Sequence, residues 1–85
     1  MQVLIPGALR SYTRESHAQA VGDTLAALFL DLDGRYPGLR FRVVDEQGRL
    51  RPNMRVFVNG LGVRDLGHAL QPSDFVAIVL ALSGG

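Results

Sequence analysis

The run Phe-Val-Ala-Ile-Val-Leu-Ala-Leu at residues 75–82 restricts the folds open to this chain more than any other stretch. Eight apolar residues are too few to cross a bilayer as a helix, which takes about 20. Preceded by the turn sequence Gln71-Pro72-Ser73-Asp74, the run reads as a strand. Side chains alternate across a strand, so Val76, Ile78, Leu80 and Leu82 share one face while Phe75, Ala77, Val79 and Ala81 share the other. Both faces are apolar, which points to a strand inside a sheet with neither face simply solvated.

The partners of that strand are legible upstream. Residues 2–5, Gln-Val-Leu-Ile, are β-prone and end at the breaker pair Pro6-Gly7. Residues 16–21 alternate small and polar residues up to Gly22, and the short connection makes the two stretches a hairpin. Leu25, Leu28, Phe29 and Leu32 then recur at the spacing of one helix face. Asp23 or Thr24 is placed to cap the first turn, and Gly34 and Pro37 to stop the helix after about ten residues. Residues 39–51 read as an extended arm turning at Glu46 to Gly48. Residues 54–58 form a clear strand that ends in Asn59-Gly60, the favoured type I′ hairpin pair. A short strand follows.

This order, β-β-α-β-β-β, places strands near both ends of the chain and one convincing helix between them. A crossover through the helix makes the first and last strands parallel, adjacent and central. One helix covers one face of such a sheet. If Val3, Ile5, Val56 and Val58 face it, then Leu4, Phe57 and Val79 form an apolar patch on the other face. Contiguous exposed apolar surface marks protein docking; a covering loop or a dimer contact is the alternative.

Eighty-five residues make one domain, spanning 1–85, with a modest core. A hydrophobic content of 47%, a charged content of 20% and a formal net charge of +1 belong to an ordinary globular chain. The absence of Cys excludes disulfides, thiolate metal sites and cysteine catalysis. His17 and His68 lack metal-ligand spacing, and Asp31 and Asp33, two apart on the helix, point to different sides. No serine sits in a nucleophile elbow, and Gly60-Leu61-Gly62 lacks the rest of a phosphate loop. The nine basic residues are scattered and not interleaved with aromatics, so neither a nucleic acid nor a membrane is expected as a partner. The opening residues do not read as a signal peptide, and the expected location is the cytoplasm. No constellation for catalysis is present, and the chain is not expected to be an enzyme.

What remains is Ser83-Gly84-Gly85. A terminal carboxylate is ionised at neutral pH and a poor electrophile; activation by a nucleotide converts it to a reactive acyl group. Two glycines present no side chain to obstruct attack and make a thin thread that fits a narrow cleft. A frayed end is the alternative.

The strand-helix order, Gly22-Asp23-Thr24-Leu25 opening the helix, Val56 to Gly60 and the ending Ala81 to Gly85 resemble the small ubiquitin-like sulfur carriers. That family includes the small subunit of molybdopterin synthase and the thiamine-pathway carrier. Residues 36–51, 55–60 and 72–85 are most similar to the branch that supplies sulfur for cysteine synthesis. The resemblance implies an α+β fold of β-grasp (ubiquitin-like) type, with a mixed sheet of four to five strands wrapped on one main helix. It also implies that an E1-like adenylyltransferase uses ATP to adenylate Gly85, after which sulfur replaces AMP to give a thiocarboxylate. No cofactor is bound by the carrier itself. Ser83 and Gly84 thread into partner sites, and Leu4, Phe57 and Val79 dock the body. The implied partners are the activating enzyme and a sulfur-accepting synthase, either a cysteine synthase or the large subunit of molybdopterin synthase. A metal-dependent peptidase would release the product in the cysteine branch. Other acceptors in the family are a pterin precursor, a thiazole precursor and tRNA. Two further readings share the same ending: a protein modifier joined to lysines through Gly85, and an interaction domain with an inert tail. All nine basic residues are Arg, so a modifier of this sequence forms no Lys-linked chains on itself.

Overall fold

A computed structural model describes residues 1–81. Strands β1 (Gln2–Leu4), β2 (His17–Gln19), β3 (Met54–Val58), β4 (Leu61–Val63) and β5 (Phe75–Leu80) form one mixed sheet in the order β2-β1-β5-β3-β4. β1 and β5 run parallel and lie side by side, as the crossover argument requires, and β5 is the central strand. β3 closes its other side antiparallel, with Met54 opposite Leu80 and Val58 opposite Val76. The strand ends at Leu80, so Ala81 falls outside it; Ala81 N–H still donates to Asn53 O at 2.8 Å.

Helix α2 (Leu25–Arg35) lies across one face of the sheet. Its expected stripe, Leu25, Leu28, Phe29 and Leu32, is fully buried together with Val3, Ile5, Val56, Val76 and Ile78. Thr24 is the cap residue, its hydroxyl accepting from Ala27 N–H at 3.2 Å. Gly34 does not stop the helix. The end comes at Arg35, where Asp33 draws the chain into a new direction by accepting from Gly38 and Arg40 N–H.

Three expectations need correction. The first two strands do pair antiparallel, with Val3 opposite Ala18, but their link is no tight turn. A 3-10 turn (Gly7–Leu9) leads into helix α1 (Arg10–Thr13) and reverses at Arg14, whose φ is 62°. The second strand is also shorter than the alternation suggested. Residues 39–43 are helical, forming α3 (Leu39–Val43), where an extended arm was expected. Leu39 and Val43 stand one helical turn apart and both drop into the core, which outweighs the β preference of Val43 and Val44. The turn after it survives as expected, bracketed by the Val44–Leu50 bridge and held by Asp45, which accepts from Gln47 and Arg49 N–H. The Asn59-Gly60 reversal is also as expected, with φ values of 50° and 85° joining β3 to β4.

The approach of α2 to the end of β2 depends on Gly22. A Cβ there would lie 2.5 Å from Leu28 N and 2.8 Å from Leu28 Cα, backbone atoms that cannot move aside. Gly34, by contrast, has open space around it inside α2. Gly22→Ala is therefore expected to lower stability by about 1–3 kcal/mol, and Gly34→Ala to raise it by about 0.5–1 kcal/mol. Urea unfolding midpoints of the two variants check both signs.

Candidate functional site

The face of the sheet opposite α2 carries the second set of side chains. Leu4 and Phe57 both stand opposite Ala77, so the three form one row across β1, β5 and β3. Val79 lies two residues further along β5 with Arg55 opposite it, and is 39% exposed. Leu4, Phe57 and Ala77 are half-buried. The expected patch therefore exists, and no loop among the described residues buries it. Phe75, 37% exposed, extends the patch towards the start of β5, where its ring lies 6.4 Å from that of His17. Phase alone had put Phe75 on this face. What sequence reasoning missed is that His17, opposite Leu4, brings a polar edge to the row.

Both ends of β5 are pinned. At its start, Asp74 accepts from Gln71 N–H and from the Asn59 side-chain amide, each at 2.8 Å. Asn59 Oδ1 in turn accepts from Phe75 N–H at 2.9 Å. The Gln71 N–H bond first, and then the Asn59 amide, hold the Asp74 carboxyl below the usual carboxylate range. At the far end, the Leu80–Met54 pairing and the Ala81–Asn53 bond fix where the chain leaves the sheet. A groove of Leu4, Pro6, Ala8, Val79 and Leu80 opens beside that exit. Ser83, Gly84 and Gly85, expected to thread into partners, lie outside the described residues.

Four carboxylates, Asp31 and Asp33 among them, have local structural work. Asp31 accepts from Val21 N–H and from Arg35 Nε, both at 2.9 Å. Asp65 accepts from Gly67 N–H, and Asp33 and Asp45 hold the bends already described. Among the described residues no three His, Cys, Asp or Glu side chains are grouped to hold a metal ion, and no helix is long and apolar enough to cross a membrane. The arrangement offers a rigid strand, an apolar face beside it and a strand exit.

Comparison with known proteins agrees with that layout. The model of the ThiS family matches residues 3–85. The sulfur carrier protein CysO of Mycobacterium tuberculosis is 36% identical over 89 residues, covering 98% of this chain and 96% of that protein. The fold matches a chain of the Amycolatopsis orientalis BexX/CysO complex with a TM-score of 0.91 at 32% identity, covering 99% of this chain and 98% of that one. It matches SAMP1 from Haloferax volcanii with a TM-score of 0.79 at 27% identity, covering 100% and 98%. The chain belongs to the ThiS family and has the ubiquitin-like β-grasp fold.

The clamp at the start of β5 has a pH signature. A carboxylate whose folded pKa is depressed stabilises the fold above its unfolded pKa and loses that contribution as pH falls through the folded value. The Tm advantage of the natural chain over Asp74→Asn is thus expected to be constant near neutrality. It should shrink on acidification below the ordinary carboxylate range of about pH 4. Thermal unfolding followed by circular dichroism from neutral to strongly acidic pH checks this.

Proposed function

We propose that this ThiS-family chain is a sulfur carrier that serves cysteine biosynthesis, with Gly85 as the carrying residue. The observation that carries the reading is the continuity of the chain from β5 into its last residues. A strand held on both sides ends at Leu80, and Ala81, tied to Asn53, stands four residues before Gly85. An E1-like enzyme brings ATP; the Gly85 carboxylate attacks the α-phosphate, pyrophosphate leaves and an acyl adenylate forms. A sulfur nucleophile then displaces AMP and leaves a thiocarboxylate. Ser83 and Gly84 form the thread that reaches into the partner cleft, since neither bears a bulky side chain.

Leu4, Phe57 and Val79 dock the body of the carrier on the activating enzyme and on the synthase that accepts sulfur. The Amycolatopsis relative is named in complex with BexX, which supports a partner protein seated on the carrier. A cysteine synthase is the acceptor this reading names, with a metal-dependent peptidase releasing the finished product. The pterin, thiazole and tRNA routes are the alternatives for the same carrier. A second reading has its own support, because SAMP1 is named a small archaeal modifier protein: conjugation of Gly85 to lysines of other proteins.

Incubation with ATP, an E1-like enzyme and a sulfide donor, followed by intact-mass measurement, tests the proposal. Exchange of one oxygen for sulfur, absent from a chain lacking Gly85, is the expected result. An unchanged mass would overturn the carrier, and high-mass conjugates in cells that vanish on removing Gly85 would establish the modifier in its place. In the same assay Phe57→Asp is expected to raise the KM for the carrier at least tenfold. A buried interface anchor is commonly worth about 2 kcal/mol or more, while the turnover of bound carrier should stay as it was.

A further inference from the structure

We propose that the end of the sheet from which the C-terminal segment leaves is a cationic docking collar, and that the protein surface receiving that segment is acidic around its cleft. The inference rests on the carrier reading above and names the chemistry of the partner at the same site.

The topology gives the sheet two ends that differ in charge, with arginines gathered at one and absent from the other. Because β5 is parallel to β1 and antiparallel to β3, the end of β1, the start of β3 and the exit of β5 lie together. The opposite end is made by residues 1–2, 19–26, 58–61 and 68–75, tied together by the Thr24–Ala69 bridge, by Leu70 N–H on Asp23 O and by Asn59 N–H on Phe75 O. The charged groups of those segments are Asp23, Asp74 and the Met1 ammonium, which donates to Ala20 O at 2.7 Å; His68 is there too, and no arginine is. Scattered along the sequence, the arginines are sorted by the fold away from that end.

Four of them surround the exit. Leu80, the last residue of β5, borders two grooves: Arg10 lines one, and Arg42 and Arg51 line the other. Arg55 stands directly opposite Val79. Three of the heads are held at the rim by main-chain carbonyls. Arg10 Nε donates to Ile5 O at 3.3 Å, Arg51 Nε to Phe41 O at 2.7 Å and Arg55 to Pro52 O at 2.6 Å. Arg51 also stacks 4.7 Å over the Phe41 ring. These bonds use part of each guanidinium and leave its charge in place. The one ion pair among the described residues is Asp31–Arg35 on α2, so none of the four arginines is ion-paired, and Asp45 is within electrostatic reach of Arg51. Glu46, which shares the second groove, is the single opposing charge there.

The collar adjoins the apolar row of Leu4, Ala77 and Phe57. An apolar centre with a charged rim is the anatomy of a protein interface. A phosphate site would instead gather guanidinium donors on one point, and these are spread around a strand end. Rim charges of this kind steer association and fix orientation, and their effect fades with salt.

Two measurements test the collar. In ATP-dependent activation by the E1-like enzyme, Arg10→Gln/Arg42→Gln/Arg55→Gln is expected to raise the KM for the carrier about tenfold with kcat unchanged. The KM of the natural chain should rise as NaCl goes from about 0.05 to 0.3 M, and that of the variant should stay flat. Equal KM values and equal salt responses would overturn the proposal. In an amide NMR titration of the carrier alone, hexaglutamate is expected to shift signals of residues 7–10, 41–42, 51–55 and 79–81, and the variant, dispersed like the natural chain, should lose those shifts. Shifts spread over the whole molecule or absent, or stronger binding of tripolyphosphate at the same residues, would overturn it. If no enzyme activates Gly85, the carrier reading fails and the titration decides the collar by itself.

Discussion

The parallel pairing of β1 with β5 is the constraint on which the rest of this structure depends. It brings the two ends of the described chain side by side, and only a crossover can join parallel neighbours. That crossover contains α2, which lays Leu25, Leu28, Phe29 and Leu32 over Val3, Ile5, Val76 and Ile78. With β3 on its other side, β5 has a hydrogen-bonded neighbour along both edges. Side-chain alternation then divides the sheet: residues that turn towards α2 build the core, and those that turn away form the outer face.

The apolar outer face is therefore a by-product of the same alternation that builds the core. Ile78 and Val79 are neighbours in sequence, yet one is sealed and the other is 39% exposed. The register places Leu4 and Phe57 on the same row although their strands do not pair, because both align on Ala77. Asp74 with Asn59 at one end of β5, and Asn53 with Met54 at the other, fix the strand along its length. In the proposed carrier cycle this rigidity matters, since a thread delivered from a fixed point loses little freedom when a partner closes around it.

Much of this was legible in the residues because period and phase are local properties. The stripe of α2, its Thr24 cap, the Asn59-Gly60 reversal and the split between Val56 and Phe57 all follow from spacing alone. The helices α1 and α3 were not. Arg10 to Thr13 and Leu39 to Val43 are too short for an amphipathic pattern to outweigh composition, and Val43-Val44 mimics a strand. Their helicity comes from tertiary burial of Leu9, Leu39 and Val43, which no window of sequence contains. The gathering of arginines was illegible for the same reason: Arg10, Arg42 and Arg55 are neighbours only once the strands have paired.

In the proposed cycle Gly85 carries sulfur. The most direct measurement is the mass of the C-terminal peptide of this protein isolated from its own cells, grown with and without an ample sulfur source. The expected result is a fraction in which one oxygen of the Gly85 carboxylate is replaced by sulfur, varying with sulfur supply. A peptide that ends in an ordinary carboxylate under every condition would contradict it.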